Sequence, residues 1–298
     1  MHWRTCGKTL DLTRQARVMG ILNTTPDSFS DGGRHASQAA ALDHARQMIR
    51  EGAEVIDIGG ESTRPGAAAV PLDEELARTI PVVAALRAEW DGWISIDTTK
   101  AAVARAALDA GADIVNDVSA LRHDPEMPAL CRQRGCGVVL MHMLGTPQTM
   151  QQAASYPDVV TAVSGFFAER LAALTAAGFD PETLCLDPGI GFGKTLEHNL
   201  RLLGALETLA VGGRPLMLGI SRKSFIGRVL GTDDPAARDP ATAVLTACAR
   251  RQGVMLHRVH AVRPNLEAIR LAEAVLHAGR AGFPVCHVDG LVPSDHKR

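Results

Sequence analysis

The chain has 298 residues, 46% hydrophobic and 21% charged, with a formal net charge of −2. That is the composition of a globular protein, which excludes a disordered chain, and the near-neutral balance with no basic stripe leaves no electrostatic footprint for nucleic acid. No apolar run reaches the ~20 residues of a membrane span. Residues 1–7 carry no apolar core of a secretory leader, so neither a membrane partner nor export is expected. The cysteines at 6, 131, 136, 185, 248 and 286 form no C-x-x-C pair, and the histidines form no H-E-x-x-H. Reduced thiols in a cytoplasmic protein are therefore expected, rather than disulfides or a zinc site.

Taken in chain order, residues 1–16 read as a short extended cap or hairpin. Apolar runs then recur at 18–22, 55–58, 93–96, 114–115, 137–141, 184–186, 216–219 and 255–259, each read as a strand. Between them lie Ala-rich amphipathic stretches, among them 37–51, 73–89, 100–110, 158–177 and 264–278, read as helices. Strands apolar on both faces suit a parallel sheet covered by helices. Eight such units favour a single-domain α/β fold, a (β/α)8 TIM barrel over 17–279, followed by a tail over 280–298 that is expected to be loose beyond Val288. No G-x-G-x-x-G follows the first strand, which argues against a dinucleotide-binding sheet.

Almost every strand ends in a polar residue: Asn23, the run from Gly59 to Arg64, Asp97, Asn116-Asp117, His142, Asp187, Ser221-Arg222-Lys223 and His260. In a barrel these positions converge on the C-terminal face, where active sites are built. The competing explanation is helix capping, and it is strongest for Thr99, Asp117 and Ser119.

Individual motifs sharpen this. Gly59-Gly60-Glu61-Ser62-Thr63-Arg64-Pro65-Gly66 combines glycines that admit a close ligand with a guanidinium suited to phosphate or carboxylate. Gly189-x-Gly191-x-Gly193-Lys194 has the look of a phosphate loop but lacks the spacing and Lys-Ser/Thr ending of an ATP site. In a strand, residues two apart face the same way, so Arg258 and His260 point together while His257 points away. His142 reads equally as a packed core histidine.

The run from Met19 through Asn23-Thr24-Thr25-Pro26-Asp27-Ser28-Phe29-Ser30-Asp31-Gly32-Gly33 resembles the first signature of the dihydropteroate synthase family. The resemblance recurs at residues 59–66, at Ile94-Ser95-Ile96-Asp97, at Asn116, at residues 184–194 and at Leu218-Gly219-Ile220-Ser221-Arg222-Lys223-Ser224. It implies condensation of 6-hydroxymethyl-7,8-dihydropterin diphosphate with para-aminobenzoate, giving 7,8-dihydropteroate and diphosphate. By that resemblance Asp187 takes the amino-pyrimidine edge of the pterin, with Asn116 and Asp97 nearby and Met141 and Phe192 lining the pocket. Lys223 meets the ring carbonyl and a ring nitrogen. Arg64, Arg258 and His260 handle the diphosphate, and Asn23 contacts Mg²⁺. Phe29, Thr63, Pro65 and Ser224 shape the para-aminobenzoate site, which is also where sulfonamides bind in the family. Asp97, Lys223, Arg258 and His260 are the expected catalytic groups, with no dedicated general base, and a homodimer through late-barrel helices is implied. The chain departs from the family pattern at Ala261, where an Asp is usual, and at Leu144. The alternatives are a pterin-binding paralogue without turnover and a methyltetrahydrofolate-type methyltransferase.

Overall fold

The strand-forming runs assemble into one parallel sheet. In the computed structural model, which describes residues 1–24, 33–63, 66–145, 150 and 154–278, its strands are β3 (Arg17–Asn23), β4 (Val55–Gly59), β5 (Trp93–Asp97), β6 (Ile114–Asp117), β7 (Gly137–Met141), β8 (Leu184–Asp187), β9 (Met217–Leu218) and β10 (Leu256–Val259). They follow the order β8-β7-β6-β5-β4-β3-β10-β9, so the sheet curls round until its two edges meet. There a single parallel bridge, Leu186 to Leu216, and the bond from Leu186 N–H to the Pro215 carbonyl at 2.9 Å join β8 to the run entering β9. The expectations for Phe29, Arg64, Pro65, Cys286 and the 280–298 tail lie outside the described residues.

The helices α1 (Gly33–Arg50), α2 (Leu72–Glu89), α3 (Ala101–Asp109), α4 (Met127–Arg134), α5 (Val159–Ala176), α6 (Leu196–Leu203), α7 (Ser224–Leu230) and α8 (Asp239–Arg251) fill the crossovers, and α9 (Val262–His277) follows the last strand. Their apolar faces pack on the outward side chains of the strands, in a core running from Val18 through Ile56, Ile94 and Val138 to Ile269. This is the nearly closed (β/α)8 barrel that eight apolar runs call for. Helix α5 is apolar and long enough to cross a membrane by length and composition, but Val159, Val163, Phe167 and Leu174 are buried, as suits a barrel helix. Strand β9 is shorter than the expected 216–219. Pro215 has no N–H to give the ladder, and Gly219 weakens the exit.

Residues 2–11 form the antiparallel hairpin of β1 (His2–Thr5) and β2 (Lys8–Asp11). Trp3 and Leu10, with Leu12 just beyond, plug the N-terminal mouth of the barrel against Met19, Val55, Ile114, Val139 and Leu256. The Trp3 indole donates to the Thr183 carbonyl at 2.8 Å, so even the plug's one polar atom is satisfied. With that end sealed, access to the barrel interior is left to the C-terminal face.

Candidate active site

The parallel register sets Gly59, Asp97 and Asn116 at one level on adjacent strands, and Met141 opposite Asp187. Each strand therefore delivers its terminal side chain to the same mouth. Asp97 is no helix cap. The first turn of α3 is held instead by Thr98 Oγ1, which accepts from Lys100 N–H at 3.2 Å, and by Asp124, which accepts from Ala101 N–H at 2.8 Å. Asp97 Oδ2 accepts from Arg258 Nη2 at 2.8 Å. Burial pushes its carboxyl from 3.8 up to about 7, against the pull of Arg258 and with the push of Asp57.

Asp57 was not among the residues singled out from the sequence. It is fully buried in β4, one side-chain layer below Asp97, and its Oδ2 accepts from Arg258 Nε at 2.6 Å and from Asn116 Nδ2 at 3.0 Å. Its signal was present in the run Val55-Ile56-Asp57-Ile58, a lone charge inside an otherwise apolar strand. Such a charge persists only when paired. Arg258 crosses the barrel from β10 to reach both carboxylates, so the guanidinium fork ties three strands together.

Asp187 ends β8, and Lys223 stands across the join, after β9 and just before α7. Asp187 Oδ1 accepts from Gly189 N–H at 2.7 Å, and burial raises its carboxyl while Lys223 pulls it back. Lys223 Nζ donates to the Ile190 carbonyl and lies 4.6 Å from the centre of the Phe192 ring, a cation–π contact. Burial pushes Lys223 down to about 8. Phe192 packs in turn on Val118, Met141, Met143 and Met150, an apolar, polarisable wall suited to a flat heterocycle.

The glycine-rich turn after Asp187 is not a phosphate loop. Lys194 is buried with its ammonium inward, donating to the carbonyls of His142 at 3.2 Å, Gly189 at 3.0 Å and Phe192 at 3.0 Å and meeting His142 Nδ1 at 3.0 Å. Burial lowers Lys194 to about 7 and His142 to about 3. His142 is thus a packed core histidine, edge-on to Phe166 at 5.0 Å between centroids. Asp117 holds the turn after β6, accepting from Ser119 N–H at 2.7 Å and Leu121 N–H at 3.0 Å, and caps no helix, since α4 begins only at Met127.

His260 and Arg258 lie on one side of β10, and His257 is buried away from them. The His260 ring and backbone N–H both meet Ser221 Oγ, at 2.9 and 3.1 Å. Its orientation therefore comes from the β9 side of the mouth. Ala261 is the N-cap of α9 and offers no side-chain hydrogen bond there. Arg222 turns away in a left-handed backbone conformation (φ 59°) to grip Asp239 with two bonds of 2.8 and 2.7 Å.

Three remaining candidates lie on the rim. Asn23 and Thr63 are half-buried, and Ser224 is the exposed first residue of α7. The turn leading to Thr63 is anchored by Lys100, whose ammonium bridges Glu61 and the buried Glu75. Among the described residues no group of three or more His, Cys, Asp or Glu side chains is placed to hold a metal.

The family profile for pterin binding enzymes matches residues 19–260. Dihydropteroate synthase from Synechocystis is 48% identical over 90% of this chain and 93% of its own length. The Yersinia pestis dihydropteroate synthase crystal structure in complex with a sulfonamide drug superposes with a TM-score of 0.87 at 45% identity, covering 93% of this chain and all of that one. The Xanthomonas albilineans dihydropteroate synthase with 4-aminobenzoic acid gives a TM-score of 0.86 at 44% identity, covering 92% and 98% of the two chains. A match that spans nearly the whole barrel and includes every strand end described above leaves one conclusion: the chain belongs to the dihydropteroate synthases, transferases of folate synthesis within the pterin-binding enzyme family.

Proposed function

We propose that this chain joins 6-hydroxymethyl-7,8-dihydropterin diphosphate to para-aminobenzoate, releasing 7,8-dihydropteroate and diphosphate, and that the residues of the barrel mouth divide the work. The observation that carries the reading is that carboxylate and amide oxygens and one ammonium gather at the same barrel mouth. Asp187, Asn116 and Asp97 offer oxygens to the N–H edge of a pterin, and Lys223 offers N–H donors to its carbonyl and a ring nitrogen. Met141 and Phe192 cover the ring faces.

In the reaction the exocyclic C–O bond breaks, a C–N bond forms, and the aniline nitrogen loses a proton. The diphosphate leaves as an anion, so Arg258, His260 and Arg64 supply donors where its charge develops. Asp97 faces the carbon that turns positive and favours that charge. An aniline is largely unprotonated near neutral pH, so no general base is assigned. Mg²⁺ fits as a companion of the diphosphate, since it prefers oxygen and keeps most of its waters. Asn23 would supply its one protein oxygen, and the ion would neutralise charge on the leaving group. Thr63, Pro65, Phe29 and Ser224 receive para-aminobenzoate, and sulfonamides compete there.

A homodimer completes the reading. Val229 and Leu230 on α7, Val244 on α8, and Leu271 and Val275 on α9 are exposed, each more than half accessible, and supply an apolar surface on the late helices. A cytoplasmic location goes with the reduced thiols. The test is diphosphate release from purified protein with Mg²⁺ and both substrates. The expected result is release dependent on para-aminobenzoate with stoichiometric dihydropteroate, lost when Asp187→Ala removes pterin affinity. Tight pterin binding without turnover would instead identify a silent paralogue, and light scattering decides the dimer.

A further inference from the structure

We infer that Asp57 is a positioning residue that fixes which face of the Asn116 amide meets the pterin and, through the same oxygen, holds Arg258 beneath the leaving group. The inference rests on the reading of Asn116 as a pterin contact and deepens it.

An amide side chain presents an acceptor on one side and two donors on the other, and nothing in its shape says which is which. Asp57 settles the matter by chemistry. Its Oδ2 already accepts from the Arg258 guanidinium at 2.6 Å, so the Asn116 atom at 3.0 Å must be the NH2 group. The Asn116 carbonyl then points the other way, into the mouth, where a pterin N–H can meet it. A flipped amide would set oxygen against oxygen in a buried site, which is costly. Asp57 is the right residue for this, since it is fully buried, sits one layer below the pocket floor, and is aligned with Ser95 in the β4–β5 register. It also has more acceptor capacity than the two bonds use. Among the described residues its Oδ1 is buried with no hydrogen-bond partner, as is the neighbouring Ser95 hydroxyl. A carboxylate kept here for packing alone would be a poor choice against an apolar residue of similar volume.

The link to Arg258 makes the orientation of two substrate contacts a single event. The guanidinium bonds Asp57 through Nε and Asp97 through Nη2, which holds its plane across the mouth. Loss of the Asp57 charge would release both the amide and one arm of that fork.

The experiment compares Asp57→Asn, Asn116→Asp and the exchange D57N/N116D. Binding of 6-hydroxymethylpterin and of its diphosphate is measured by titration calorimetry, alongside KM for para-aminobenzoate and thermal unfolding. D57N is expected to lower pterin affinity at least tenfold with KM for para-aminobenzoate unchanged. N116D is expected to lose as much, since two carboxylates then face each other. In the exchange variant the amide at position 57 can donate to the carboxylate at position 116, which still turns an acceptor to the pterin, so most of the affinity should return. Losses that multiply in the double variant, or a D57N protein with unaltered pterin affinity, would overturn the inference. Should D57N not fold, the side-chain NH2 resonance of Asn116 in the unsubstituted protein decides. It should stay protected from exchange when pterin binds, and its release on binding would be equally fatal. Asn116→Ala separates the two levels. If it leaves pterin affinity untouched, the pterin assignment fails, whereas a loss there beside an unaffected D57N sinks only the role of Asp57.

Discussion

Replacing Asp97 by asparagine should make the protein more stable and less active, both for the same reason. Burial carries the Asp97 carboxyl from 3.8 to about 7 even with Arg258 at 2.8 Å and in spite of its pull. A rise of that size is roughly a thousandfold in proton affinity, or on the order of 4 kcal/mol between the two protonation states. Because the folded value lies above the unfolded one, the folded chain holds the extra proton between about pH 4 and pH 7. Stability falls with rising pH across that window, and the full cost of the buried charge is present above it. An amide carries no such cost and keeps an oxygen for Arg258, but its NH2 group must find a partner or forfeit about 1–3 kcal/mol. The net expectation is a gain of about 1–3 kcal/mol at pH 8 that shrinks and changes sign towards pH 4, where only the amide's penalty is left, with kcat down about 10²-fold because charge complementary to the developing cation is gone. Urea unfolding at pH 5, 6.5 and 8, read beside steady-state rates, tests both halves. An Asp97→Asn variant that is less stable than the parent at pH 8, or a stability difference that ignores pH, would mean that the Arg258 ion pair outweighs burial and that this reasoning is wrong.

Other expectations follow from the same mouth. The pH profile of kcat/KM for the pterin diphosphate should be bell-shaped. Its acid limb near 7 is Asp97 gaining its proton and its alkaline limb near 8 is Lys223 losing one, and Asp97→Asn should erase the acid limb alone. Ala261→Asp should supply the missing cap of α9, adding about 1 kcal/mol and a few degrees of melting temperature, with kcat unchanged because Ser221 orients His260. A tenfold rise in kcat would instead give that carboxylate a part in the reaction. Gly189→Ala should be severe, since its φ is +64° and an added Cβ would stand 2.0 Å from the His142 carbonyl oxygen. Calorimetry should find a destabilisation above about 1 kcal/mol together with weakened pterin binding, because Asp187 is anchored to the same N–H.

The barrel was legible because its signal is local. Period, length and apolar runs within each segment name a strand, and the polar residue closing each run names the face where strands end. The side of β10 that carries Arg258 and His260 follows from the two-residue period alone. What Arg258 touches does not, because Asp57 lies 201 residues away in sequence and only the closed sheet brings it to Arg258. Lys194 shows the converse. Its glycines and lysine resemble ligand-binding chemistry, yet the ammonium is used up on three carbonyls of its own loop and its neighbour. Helices α6 and α8 were given no bounds from the sequence: α6 runs only eight residues, and α8 opens with Asp239-Pro240 and a polar stretch that blurs its period.

The join between β8 and β9 has a mechanical consequence. Every other neighbouring pair in the sheet is laced by two or more register pairs, but here one bridge and the Pro215 carbonyl do the work. The strands on either side lead to Asp187 and Lys223, the two jaws of the pterin slot. Amide hydrogens there should exchange sooner than those of β4 or β5. The slot can then spread by a fraction of an ångström as a ring slides between the jaws, without unlacing the rest of the staves.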